Sequence, residues 1–211
     1  MKNPFASFLQ AFVLFFSVLG IYHAWGMGGP LRPPPSDPSP RSQLQAPQPQ
    51  SARQILVATA AKEIGVTEAT GNNDGARVEA YLSSVGLHRG DPYCAAFVYF
   101  IGTRALGSAN PFPRSGWSPD MVTPASKGQP RSGDTFGIYF PSKGRIAHTG
   151  LIAGTEHDQG KWRAPRGYLR TIEANTSGSA ASGSAADRDG EGVFSKLRPI
   201  STVRQTKSFL P

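Results

Sequence analysis

A proline-rich break at residues 26–50 limits this chain more than any other feature. It runs Gly26-Met27-Gly28-Gly29-Pro30 into Leu31-Arg32-Pro33-Pro34-Pro35-Ser36-Asp37-Pro38-Ser39-Pro40, and then into a Gln/Pro/Ser run. Proline lacks a backbone N–H and fixes φ, so neither a helix nor a sheet ladder propagates through such a stretch. Too few apolar side chains remain to build a core. The segment reads as an extended spacer with polyproline character. It separates an apolar N-terminal stretch, residues 1–25, from one modest domain, residues 51–211.

The N-terminal stretch carries Lys2 and then runs from Phe5 to Trp25 with few polar interruptions. Its central part, residues 11–22, has the length of a signal-peptide apolar region, and the whole stretch is about long enough to cross a bilayer. Gly20 and Ala24 are small, but no Ala-x-Ala pattern follows. The expectation is an uncleaved transmembrane anchor, with a cleaved signal peptide as the alternative. The domain is then membrane-anchored facing the periplasm or cell exterior, or secreted, and the spacer holds it away from the surface.

Charge and cysteine content narrow the partners. The chain has 22 Lys+Arg against 14 Asp+Glu, a formal charge of +8. This favours weak attraction to a polyanion (a cell-wall polymer, an anionic membrane or nucleic acid) without choosing among them. No basic run is dense enough for a nucleic-acid tail, and nucleic acid is not an expected partner. The single cysteine excludes an intrachain disulfide and a Cys-rich zinc site. His23, His88, His148 and His157 are too scattered for a metal motif, so no metal or cofactor is expected.

Within the domain the pattern is helical first. Ser51 is placed to cap a helix over residues 52–64, ended by Gly65. Gly71-Asn72-Asn73-Asp74-Gly75 is a turn cluster, and Asn73 or Asp74 is expected to cap a second helix over residues 75–85. The cluster lacks the alternating oxygen ligands of a calcium loop. Asp91-Pro92 holds the chain extended, and a third helix starts at Cys94 and closes near Gly102 or Gly107. Residues 108–132 are irregular, with a short helix from Ser118, and Trp117 is expected as a core contact, with a groove wall as the alternative. Strands follow at residues 133–140, 145–154, 168–175 and 192–200, where Pro199 marks an edge or an end. A turn at residues 141–144 and a long loop at residues 176–191 connect them. Helices followed by a meander of strands make an α+β arrangement.

The residues that carry chemistry centre on Cys94. A lone cysteine in an apolar run is ordinarily a small core hydrophobe. In the first turn of a helix, however, the free N–H groups and the helix dipole favour a thiolate. A cysteine nucleophile needs a base and a third group that fixes the imidazole. His148 lies mid-strand among small neighbours. Glu173 and Asn175 lie two apart on the next strand, and strand alternation puts them on one face, set against a neighbouring imidazole. Glu173 is the expected nearest group, and Asn175 then holds substrate or the loop. Taken singly, these are a core histidine, a rim carboxylate and a strand-end cap. Their coincidence with Cys94 favours a thiol hydrolase. The Cys94 N–H is a candidate oxyanion donor, with Tyr93 or Asp91 completing or lining the hole. Arg114 and Asp134 read as structural.

Three blocks, Pro92-Tyr93-Cys94-Ala95-Ala96-Phe97-Val98, Arg145-Ile146-Ala147-His148-Thr149-Gly150 and Ile172-Glu173-Ala174-Asn175-Thr176, resemble the signature blocks of the CHAP domain family. These are cysteine- and histidine-dependent amidohydrolases/peptidases of the wider NlpC/P60, papain-like group. The resemblance covers nearly all of the domain. It implies N-terminal helices packed on an antiparallel sheet, in a monomeric catalytic domain. It also implies Cys94 as nucleophile, His148 as base, and Glu173 and Asn175 assisting or orienting it. The implied substrate is an amide bond of bacterial peptidoglycan, cleaved as an N-acetylmuramoyl-L-alanine amidase or as an endopeptidase. Two departures are Tyr93, where the family commonly has Trp, and the long loop at residues 176–191. A noncatalytic wall-binding domain on the same fold and a thiol hydrolase of some other amide are the competing readings.

Overall fold

Ser51 starts the first helix as its sequence predicts. Its hydroxyl accepts the Gln54 N–H at 3.3 Å, and Gln54 Oε1 accepts the Ser51 N–H at 2.8 Å, a reciprocal capping box. The computed structural model describes residues 50–178 and 189–211. The expected N-terminal anchor, the spacer up to residue 49 and most of the 176–191 loop lie outside the described residues. Among the described residues no helix is long and apolar enough to cross a membrane.

Three α-helices come first: α1 (Ala52–Ala61), α2 (Ala76–Ser84) and α3 (Cys94–Leu106). The side-chain cap expected for α2 does not form. Gly75 occupies the cap position at φ 98 with no side-chain bond. Asp74 instead accepts the Thr70 N–H and hydroxyl at 2.8 and 2.6 Å, which fixes the preceding loop. The helix α3 runs through Gly102 because that position must lack a side chain. A Cβ there would lie 2.2 Å from Asn110 Oδ1. Gly107, at φ 58, follows the last helical residue.

The strands β1 (Thr135–Phe140), β2 (Arg145–Gly154), β3 (Tyr168–Thr176), β4 (Gly192–Pro199) and β5 (Gln205–Lys207) form one antiparallel sheet in the order β4-β3-β2-β1-β5. The molecule is thus α+β, with helices preceding an antiparallel sheet. The four expected strands are present, and β4 is an edge that ends at Pro199. The fifth, β5, was not legible: three polar residues carry no alternation, and only pairing with β1 defines them.

One core lies between helices and sheet, where Leu56, Tyr81, Leu82, Phe97 and Ile101 meet Leu151, Ile172 and Val193. Each such fully buried side chain contributes about 1.5–3 kcal/mol of transfer free energy. A smaller cluster of Phe136, Ile138, Phe140, Ile152 and Leu169 forms separately. Pairing is broken at two places beside the site. Ala147 is the extra residue where β1 steps from Ile138↔His148 to Tyr139↔Ile146. Asn175 is the extra residue between Ala174↔Val193 and Thr176↔Gly192, and it takes φ 59. Such bulges re-aim side chains, and here they flank His148 and Glu173.

Candidate active site

The N-terminus of α3 is anchored before any chemistry is considered. The Tyr93 N–H donates to Asn175 Oδ1 at 2.8 Å, and the Tyr93 hydroxyl donates to Glu68 Oε1 at 3.0 Å. Asn175 Nδ2 donates to Asn73 Oδ1 at 3.1 Å, and the Asn73 N–H donates to Glu68 Oε2 at 2.8 Å. Four side chains from separate parts of the chain thereby fix where α3 begins. Burial and the Glu68 carboxylate push the Tyr93 phenol well above its usual range.

Cys94 is the first residue of α3 and is 3% exposed. Its sulfur lies 3.3 Å from Ser118 Oγ. Burial pushes the thiol pKa up; His148, the Ser118 hydroxyl and the Thr149 N–H outweigh it and hold the thiol below its ordinary range. His148 is wholly buried on β2, with Nε2 at 2.8 Å from Glu173 Oε2. Nδ1 is buried without a hydrogen-bond partner and is the ring nitrogen left for the thiol. Burial pulls the imidazole down, but Cys94 and Glu173 together raise it to about 9. The two shifts act in the same sense, each toward the charged form of its group.

Glu173 is also wholly buried, yet it stays charged. Arg198 Nε donates to Glu173 Oε1 at 2.8 Å, Arg198 Nη2 donates to Oε2, and the Thr171 hydroxyl donates to Oε1. Burial pushes the carboxyl pKa up; Arg198 and then His148 hold it far below the usual range. The sequence therefore brings Cys94, His148 and Glu173 into one line, with Glu173 the nearer group to His148 as expected.

Asn175 is not set against the imidazole; it holds the loop at the start of α3, the second of its expected places. The bulge takes it out of strand alternation, so its amide bonds Tyr93 and Asn73 rather than the imidazole. Tyr93 does not complete an oxyanion hole, because its N–H is committed to Asn175 and its hydroxyl to Glu68. Trp117 takes the alternative place, a groove wall rather than a core contact. It is 48% exposed and forms one wall of a groove of about 450 Å³ into which Cys94 opens, with Asp91, Ser118, Arg145 and Ala147. The Arg145 guanidinium covers the ring at 3.8 Å from its centroid. Arg114 donates to the Ser84 carbonyl at 2.8 Å, and Asp134 pairs with Arg53 at 2.7 Å.

Ser118, Thr171 and Arg198 were not foreseen. The one legible signal was in β4, where Lys196 and Arg198 alternate with Leu197. Ordinary patterning would bury the leucine, but Lys196 and Arg198 are inside and Leu197 is 45% exposed. A buried carboxylate on the adjacent strand is what makes an inward arginine affordable. A larger cavity of about 690 Å³ lies among Arg163, Arg166 and Arg170 and contains no nucleophile. Among the described residues no group of three His, Cys, Asp or Glu is placed to hold a metal ion. The sequence matches no protein-family model and no curated protein.

Proposed function

We propose that the chain is a cysteine-dependent hydrolase of the CHAP type, on a papain-like NlpC/P60 fold, that cleaves an amide bond of bacterial peptidoglycan. The observation that carries this reading is the buried line Cys94, His148, Glu173 at a helix N-terminus, open to a groove on the sulfur side. A core cysteine needs neither an adjacent imidazole nor a carboxylate kept charged by a buried arginine. The choice of peptidoglycan as substrate comes from the motif resemblance.

In this mechanism the Cys94 thiolate adds to the amide carbonyl carbon. The resulting oxyanion meets the Cys94 backbone N–H at the positive end of α3. His148 gives its Nδ1 proton to the amide nitrogen, the C–N bond breaks, and the amine leaves with a thioester behind. Water then attacks the thioester and gives His148 a proton. The C–S bond breaks and releases the carboxylic acid and the thiolate. Glu173 holds the imidazole and offsets its positive charge, and Asn175 is a positioning residue for the helix start.

The test is product release from purified peptidoglycan, followed by mass spectrometry of the fragments. Cys94→Ala is expected to abolish release while keeping the thermal transition and wall binding. Equal release by both proteins sinks the proposal. Binding by the wild type with no product at all supports the noncatalytic alternative. The fragment masses separate amidase from endopeptidase.

A further inference from the structure

Arg145 opens β2, three residues before His148, and lines the same groove as Cys94. Its guanidinium lies over the Trp117 ring at 3.8 Å from the centroid, and Nη1 donates to the Ile146 carbonyl at 2.9 Å. An arginine on an open surface samples many rotamers. One laid on an indole and tied to a carbonyl has its plane fixed before a ligand arrives. Its remaining donors bond no side chain among the described residues, and no carboxylate there lies within ion-pair distance of it. Asp91, across the groove, already accepts the His88 N–H at 2.9 Å. A preset guanidinium edge suits a carboxylate, which it can take with two parallel hydrogen bonds.

We propose that Arg145, held by Trp117, is the specificity determinant of the groove and receives a free carboxylate of the substrate next to the amide attacked by Cys94. This rests on the hydrolase reading and names its substrate class: an acidic peptide with a carboxylate flanking the scissile amide. Arg145 acts in binding and has no part in moving protons.

Cys94 is the only cysteine, so thiol reagents report on it alone. The test compares alkylation of the intact chain by iodoacetate and by its neutral analogue iodoacetamide, at neutral pH and low salt. Arg145→Gln is expected to slow iodoacetate about fivefold, as for one unit charge a few ångströms away in wet surroundings. The same change leaves the iodoacetamide rate within about twofold, and added salt shrinks the wild-type preference. Arg145→Lys keeps most of that preference. An unchanged ratio of the two rates in Arg145→Gln overturns this inference alone. A thiol inert to both reagents until the protein unfolds overturns the hydrolase reading and this inference with it. With wall peptides, Arg145→Gln raises KM for a peptide carrying the free carboxylate and spares its carboxamide counterpart; equal changes for both overturn the inference.

Discussion

Glu173 carries two loads at once, a buried imidazolium on one side and a buried guanidinium on the other. Removing its charge affects both. Glu173→Gln withdraws one of the two influences that raise His148 to about 9. In the wild type kcat/KM is expected to fall above about pH 9, as the imidazolium loses the proton destined for the leaving amine. In Glu173→Gln that alkaline limb moves to lower pH, and a pH–rate profile with an unmoved limb contradicts the role. Arg198→Met leaves Glu173 buried without its main counter-charge, for which a loss of about 3–5 kcal/mol is expected by urea unfolding. The sign of the pH effect follows from the lowered Glu173 pKa. Its contribution to stability is complete above the unfolded glutamate value of about 4.3 and drains away as pH falls below that toward the folded value. An acid titration of the unfolding midpoint, flatter in Arg198→Met than in the wild type, checks this. Asn175→Ala removes the acceptor of a buried N–H and puts alanine at φ 59, so about 1–3 kcal/mol is expected from unfolding curves.

The elements were legible where periodicity was strong and local. Ser51 predicted its helix, Asp91-Pro92 predicted the start at Cys94, and alternation gave four of the five strands. The failures share a cause, which is that tertiary pairing overruled a local rule. The bulge at Asn175 broke the two-residue spacing that put it beside the imidazole, and no propensity encodes a bulge. Arg198 was hidden because an inward arginine depends on a carboxylate 25 residues away in sequence. Gly150 shows the same dependence. A Cβ there would sit 2.9 Å from the Ile172 carbonyl oxygen and 3.1 Å from Glu173 Cγ, so β2 and β3 approach closely only because position 150 is bare. Gly150→Ala is expected to separate the strands and displace Glu173, with kcat/KM falling about tenfold or more. If kcat/KM is retained while the unfolding midpoint drops, the close approach matters to packing and not to the imidazole.

At the scale of the whole molecule, a formal charge of +8 favours contact with polyanions, the proposed anionic wall among them. Retention of Cys94→Ala on purified walls is expected to fall as salt rises from about 50 to 500 mM, as the Debye length shortens well below 10 Å. Salt-independent retention means that contact is made by uncharged groups. The inverted alternation of β4 has an effect beyond Glu173. That strand closes the sheet, and on it or next to its end Leu197, Tyr168 and Ile200 are each more than two-fifths exposed. Its start, at Gly192 and Val193, is paired with residues 65–67, and a border left open beyond that with apolar neighbours is a template on which a second chain can add a strand and begin a fibril. Cations turned inward and a terminal proline are two ways to spoil such a template. Lys196, Arg198 and Pro199 therefore guard colloidal behaviour, and at Arg198, which also holds the Glu173 carboxylate, a sequence change acts on solubility and on the site together.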